Sequence, residues 1–278
     1  MSINMTKIEK LAFNENGFAL LKGFFNGDEI EAIRLQAKAV FFAQMKQNKI
    51  VTTMPDTEAA FDRAMFKLFE SNLDTFINCG KQVQHLISLH RLSLDERIMQ
   101  ELQAIGLSFP NISTRPVLFF NSKYLAKKET YWRVFAHQDW RSMQGSLDSI
   151  VVWIPLIDIP KELGALEIVP KSHTVGLVAE RVVDSFGVVE GYDDTDFVGV
   201  EVEQGDALFF SSFLIHRSGT NVTDLIRWSC HFRYNNLDET TFIERGYPHN
   251  YIYKASDELI TPMFPTPEQV RKIYSTHE

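Results

Sequence analysis

From Arg115 onward this chain is patterned for strands, with no helical pattern between them, which confines that half to a sandwich or a barrel. The stretches Pro116 to Ser122, Trp132 to Asp139, Ser149 to Ile157, Ala165 to Val169, Val198 to Glu203, Ala207 to Ser212 and Leu225 to Tyr234 are rich in Val, Ile, Phe and Trp. Glycine and aspartate punctuate them, as at Gly164 and Gly205-Asp206. Strands packed this densely, without crossover helices, exclude a doubly wound sheet and predict a jelly roll. One connection, Lys171 to Thr195, is long, of mixed polarity and carries Gly176, Gly187 and Gly191. Connections of that length are lids, binding loops or surface excursions.

The N-terminal third reads as helical. Asn16-Gly17 leads into a short strand from Phe18 to Phe25, and Asn26-Gly27-Asp28 supplies cap chemistry for a helix. In that helix Ile30, Ile33, Ala37, Val40 and Phe41 share one face, while Glu29, Glu31, Arg34 and Lys38 fall largely on the other. Further helices are predicted over Thr57 to Phe69, Asn72 to His90 and Asp95 to Ile105, with Ser93 as cap of the last. The fold class is therefore α+β, a helical N-terminal region packed on a barrel. Twenty-two phenylalanines suit a sheet packed against helices or another sheet.

Charge and composition exclude several functions. A formal net charge of −8, with no basic cluster longer than a pair such as Lys127-Lys128, disfavours nucleic acid, which demands a basic stripe. No stretch approaches the ~20 apolar residues of a membrane span, and the first residues lack the apolar core of a signal peptide. The expected setting is the cytoplasm. Cys79 and Cys230 stand alone, in a helical and a strand segment, and read as reduced buried thiols. No pattern selects an oligomeric state.

The chemistry-bearing residues are His137-Gln138-Asp139, His216 and Arg227. With 8 histidines and 36 acidic residues in 278 positions, a His-x-acid triplet arises by chance about once. On a strand, however, His137 and Asp139 at i and i+2 point the same way. Two histidines and a carboxylate can occupy one face of Fe(II) and leave the other open. Arg227 starts an alternation in which Ser229, His231 and Arg233 share its face. An arginine buried in a barrel calls for an anion, and its planar fork suits a carboxylate.

Several blocks in order resemble the phytanoyl-CoA dioxygenase family, a branch of the Fe(II)- and 2-oxoglutarate-dependent oxygenases. They are the Asn16-Gly17-Phe18 opening with its capped helix, His137-Gln138-Asp139, the Trp153 strand, the run Gly164 to His173, and Ile215-His216-Arg217-Ser218-Gly219. Together they span most of residues 10 to 236. The resemblance implies a double-stranded β-helix with iron at its mouth. By position, His137, Asp139 and His216 are the implied iron ligands. Arg227 is the implied anchor of the distal carboxylate of 2-oxoglutarate and Ser218 its hydroxyl partner, with Gln138 and Trp153 near the co-substrate. Residues 1–278 then form one dioxygenase domain: 1–110 as helical support, 111–236 as the β core and 237–278 as a C-terminal extension.

The implied reaction consumes Fe(II)-bound 2-oxoglutarate and O2, releases succinate and CO2, and hydroxylates a small molecule. In the family's halogenases chloride takes the place of the carboxylate, so Asp139 favours hydroxylation. Trp132, Trp140, Arg141 and Arg233 lie near the ligand segments, with Tyr131 and Tyr234 adding polar edges, a mixture that suggests a polar or anionic substrate. Among other histidines His231 is the best further pocket residue. His173 shapes its turn, and His85, His90, His249 and His277 serve surface or packing roles. Two alternatives stay open: a non-enzymatic jelly-roll binding protein, and a cupin-like metalloenzyme that does not use 2-oxoglutarate.

Overall fold

In the computed structural model of the protein, the described residues are 6–128, 132–184, 186–249 and 264–275. The organising element is the ten-residue strand β11 (Arg227–Asn236). It pairs antiparallel with β4 (Ile150–Pro155) along one edge, and with β2 (Pro110–Ile112) and β3 (Val117–Asn121) along the other. Beyond β4 come β9 (Ala207–Ser211) and then β1 (Phe18–Leu21), which completes a six-stranded sheet.

Strand alternation divides this sheet into two faces. Ile150, Val152, Ile154, Phe209, Trp228, Cys230, Phe232 and Tyr234 are buried in the larger core, against the helices. Val151, Trp153, Leu208 and Phe210 face the other way, into a second core with Leu166, Ile168 and Val200. Those last residues belong to a smaller sheet ordered β10 (His216–Ser218), β5 (Leu166–Ile168) and β8 (Val198–Val200). Two antiparallel sheets enclosing an inner face make the expected jelly roll, with helices on one outer side.

The helical layer is α1 (Lys7–Asn16), α2 (Gly27–Gln47), α3 (Glu58–Ser71), α4 (Leu73–Val83), α5 (Ile87–Ser93) and α6 (Glu96–Ala104). Asn26 caps α2, as its sequence predicts, and the cap is closed into a capping box by Glu29. Phe41, Phe76 and Phe120 meet edge-on or tilted, and Phe41 and Phe120 both reach Trp228. Both cysteines are free and buried.

Three helical expectations need correction. Arg34 and Lys38 are buried, because α3 lies across that side of α2 and Glu58 pairs with them at 2.7 and 2.9 Å, with Glu31 also on Arg34 at 2.7 Å. The run from Asn72 to His90 is two helices. Between them Gln84 reaches across to β3, accepting from the Leu118 N–H and donating to its carbonyl, both at 2.7 Å. Asp95, not Ser93, caps α6; the Ser93 hydroxyl instead donates to the His90 carbonyl.

Two further departures bear on function. Trp132 to Asp139 is not a regular strand: the chain pairs with β10 through a single bridge, His137 to His216, then turns into the four-residue helix α7 (Trp140–Met143). The cause is local competition for the backbone, since Trp140 N donates to Ser212 and Ser142 N back to Asp139. The long connection holds a hairpin, β6 (Glu180–Val183) with β7 (Phe186–Val189), docked by Val189 N on the Ala136 carbonyl. After β11 come the short α8 (Thr240–Glu244) and, further on, α9 (Pro267–Ser275), whose Tyr274 hydroxyl donates to Ser211 Oγ.

Candidate metal centre

His137, Asp139 and His216 converge at the mouth of the barrel, each offering one ligand atom within 4.8 Å of the others. Asp139 Oδ1 lies 3.8 Å from His137 Nε2, and Oδ2 lies 3.8 Å from His216 Nε2. The i and i+2 spacing works by another route than strand alternation. After the bridge at His137 the chain turns, and Asp139 has helical backbone angles (φ −62, ψ −31). His137 is delivered by the bridge to β10, and Asp139 by the turn that follows it.

Each imidazole is oriented by its own backbone. His137 Nδ1 lies 2.7 Å from the Phe135 carbonyl and His216 Nδ1 lies 2.9 Å from that of Leu214. A carbonyl only accepts, so Nδ1 carries the proton in both rings and Nε2 presents its lone pair to the site. Burial, helped by His137, pushes the His216 imidazole down to about 3, so it stays neutral. Burial alone would raise the Asp139 carboxyl. The Arg233 guanidinium, followed by the two imidazoles, outweighs it and holds the group well below the ordinary carboxylate range. Two imidazole nitrogens and one carboxylate oxygen are a donor set suited to Fe(II).

Deeper in the barrel lies Arg227, 2% exposed. Its Nη1 donates to the Gly164 carbonyl and its Nη2 to Ser218 Oγ at 3.1 Å. Gly164 has φ +83, and a Cβ there would stand 2.7 Å from the Gly219 carbonyl, so only glycine fits this approach of β5 to β10. The strand's entry is held from the helical side, where buried Asp62 of α3 accepts from Ile226 N at 2.8 Å. No carboxylate of the described residues pairs with Arg227, and burial pushes its guanidinium down to about 10.

Further buried polar atoms on the inner face of the barrel lack a hydrogen-bond partner among the described residues: Arg227 Nε, Ser229 Oγ, His231 Nε2 and Asn121 Oδ1. Leaving such groups dry costs ~1–3 kcal/mol each. A dicarboxylate between Arg227 and the metal would accept from Arg227 Nε, Ser229 Oγ and His231 Nε2, so these three residues fit 2-oxoglutarate, whereas Asn121 Oδ1 is itself an acceptor and calls for a donor. Asn121, opposite Arg227 in the β3 register, has no signal in the sequence because cross-strand pairs exist only once register is set.

Not every anticipated residue reaches the centre. Gln138 is turned away, with both amide hydrogens donated to the Gly176 and Phe213 carbonyls at 2.8 Å and its oxygen accepting from Val178 N. It staples the inserted hairpin's base to the barrel. Arg141 continues that staple through the Val178 carbonyl and Glu180. Trp153 is on the inner face opposite His231, packed in the apolar inner core. Tyr234 and Trp140 are buried elsewhere, Tyr234 bonded to the Ser93 carbonyl and Trp140 stacked on Phe213, so neither edges the site. His173 is buried against Tyr274 and shapes its turn. Tyr131 and His277 lie outside the described residues.

Gln138→Ala should strand the three backbone groups it satisfies, lowering stability by about 2–3 kcal/mol. It should also speed protease cleavage between Lys171 and Thr195. Urea denaturation and timed digestion check both, and wild-type cleavage would remove the staple role.

An antiparallel double-sheet barrel carrying two histidines and a carboxylate at its mouth, with a buried arginine below, defines the architecture of a non-haem iron oxygenase. The sequence matches the family description of phytanoyl-CoA dioxygenase (PhyH) over residues 13–229, and the chain belongs to that family of Fe(II)- and 2-oxoglutarate-dependent oxygenases. It is 25% identical over 240 residues to mouse peroxisomal phytanoyl-CoA dioxygenase, covering 82% of this chain and 68% of that one. With methylphosphonate hydroxylase of Gimesia maris it shares 31% identity over 134 residues, 48% of this chain and 50% of the other. The fold is similar to that of the epimerase SnoN in complex with Fe3+, alpha ketoglutarate and nogalamycin RO, with TM-score 0.52, 16% identity and 83% of each chain covered.

Proposed function

We propose that this oxygenase hydroxylates a small anionic molecule, with His137, Asp139 and His216 as the metal ligands and Arg227 with Ser218 as the anchor of 2-oxoglutarate. The observation that carries the anchor is a buried guanidinium with no carboxylate of the described residues to neutralise it. When bound, the iron supplies oxidative decarboxylation of 2-oxoglutarate by O2, with succinate and CO2 released and oxygen inserted into a C–H bond. The protein's part is binding, orientation and exclusion of water. Arg227 and Ser218 fix the distal carboxylate, the Nδ1 bonds hold both imidazoles in the ligating tautomer, and Ser229 and His231 offer hydrogen bonds along the co-substrate. Val151, Trp153, Leu208 and Phe210 keep the inner wall dry.

An anionic substrate follows from the charge inside. Among the described residues the inner face holds two guanidinium groups, Arg227 and Arg233, and the carboxylate of Asp139, which with a divalent metal and the 2-oxoglutarate dianion sum to one positive charge. The Gimesia maris relative, named for a phosphonate, accords with that sign. Among the described residues no helix is long and apolar enough to cross a membrane. Residues 1–278 act in this reading as one unit, and free buried thiols suit a cytoplasmic setting. The test is anaerobic titration with Fe(II) and 2-oxoglutarate, with a visible metal-to-ligand charge-transfer band expected. Folded, iron-loaded protein without the band would sink the 2-oxoglutarate assignment and favour the alternatives.

A further inference from the structure

The three ligands of the centre are oriented by different means. His137 and His216 are each held by a carbonyl two residues away in their own chain. Asp139 has no such local support: it stands just before a single helical turn, and its side chain makes no cap hydrogen bond there. Its carboxylate is held instead from across the barrel, by Arg233 Nη2 at 2.7 Å from Oδ1, between residues 94 apart in sequence. Both partners are buried, 8% and 3% exposed. Arg233 itself sits in the middle of the sheet, opposite Val151 of β4, with its carbonyl accepting from Ser113 N. Among the described residues, the guanidinium of Arg233 on its paired strand is therefore the one long-range hydrogen-bond donor to a ligand side chain.

Resting on the metal-ligand reading above, we propose that Arg233 is the positioning residue of Asp139. It occupies Oδ1 and leaves Oδ2 to the metal, so that the carboxylate takes a single coordination position. A carboxylate free to swing would chelate through both oxygens and fill a position that the co-substrate or O2 requires. A charge-assisted bond of this length competes with chelation, whereas a neutral donor would be weaker by about half. Orienting partners of metal ligands act in this way in general, and their loss weakens metal binding roughly 10–100-fold.

The test uses the full chain and Co(II), a redox-stable probe whose visible spectrum reports coordination number. Wild type and Arg233→Met are titrated with Co(II) by calorimetry, and their absorption is recorded with and without 2-oxoglutarate. Circular dichroism confirms that each is folded. Arg233→Met should bind Co(II) roughly 10–100-fold more weakly, with an altered absorption spectrum. Arg233→Lys, which keeps one charged donor, should recover part of the affinity and the wild-type band shape. If methionine prevents folding, Arg233→Gln is read by the same criteria. Wild-type affinity together with a wild-type spectrum in the folded methionine or glutamine variant overturns the positioning role and leaves the ligand assignment standing. Failure of wild type itself to bind Co(II) overturns the ligand assignment, and this inference with it.

Discussion

Arg227→Met is expected to abolish binding of 2-oxoglutarate while leaving metal binding in place and the metal-free fold as stable as before, or more so. Truncating one side of a buried, hydrogen-bonded charge pair costs ~2–5 kcal/mol of binding, or roughly 30- to several-thousand-fold in affinity. In the metal-free protein that pair does not exist. Arg227 is buried with a carbonyl and a hydroxyl as partners, and burial lowers its pKa to about 10, the mark of a charge held at a cost. Replacing such a charge with an apolar side chain of similar length is often neutral or stabilising. Thermal melting with and without 2-oxoglutarate, in the presence of Fe(II) under nitrogen, separates the two effects. The wild type should gain several degrees with the co-substrate and the variant none. A variant that keeps the wild-type shift would show that the dicarboxylate is anchored elsewhere.

His137→Ala carries the other large effect, loss of the metal with little damage to the fold. Of the two imidazoles it is the more exposed, its side chain 24% accessible against 6% for His216. His216 also packs edge-on against Phe210, at 4.8 Å between ring centroids. Removing His216 therefore opens a hole in the inner core, while removing His137 deletes a candidate ligand at the barrel mouth. Loss of a direct ligand should exceed the ~10–100-fold penalty of losing an orienting partner, and hydroxylation should fall to background. Metal content after desalting, with circular dichroism as control, measures it. Stoichiometric iron in the alanine variant would remove His137 from the ligand set.

Much of this protein is legible locally. Strand alternation assigns Ser229, His231 and Arg233 to the face of Arg227, and β11 places them so, because a two-residue period survives any register. The capped α2 and its apolar face are equally visible. What misleads is the same locality. Arg34 and Lys38 look solvated on a helical wheel, yet α3 covers them, Glu58 pairs with both and Glu31 also holds Arg34. Gln138 sits between His137 and Asp139 in sequence and points away from both, since its amide answers carbonyls at Gly176 and Phe213. Neither partner is within reach of any local pattern.

The sequence by itself determines the class of fold, the candidate metal-ligand residue types and the arginine on the same inner face, since periodicity and residue chemistry are properties of short stretches of chain. Only the tertiary structure decides how Asp139 reaches the centre, by a turn where a strand is expected, and that Arg233 holds it there. Such pairings depend on how distant strands are registered and how a loop closes, and those are set by the packing of the whole barrel.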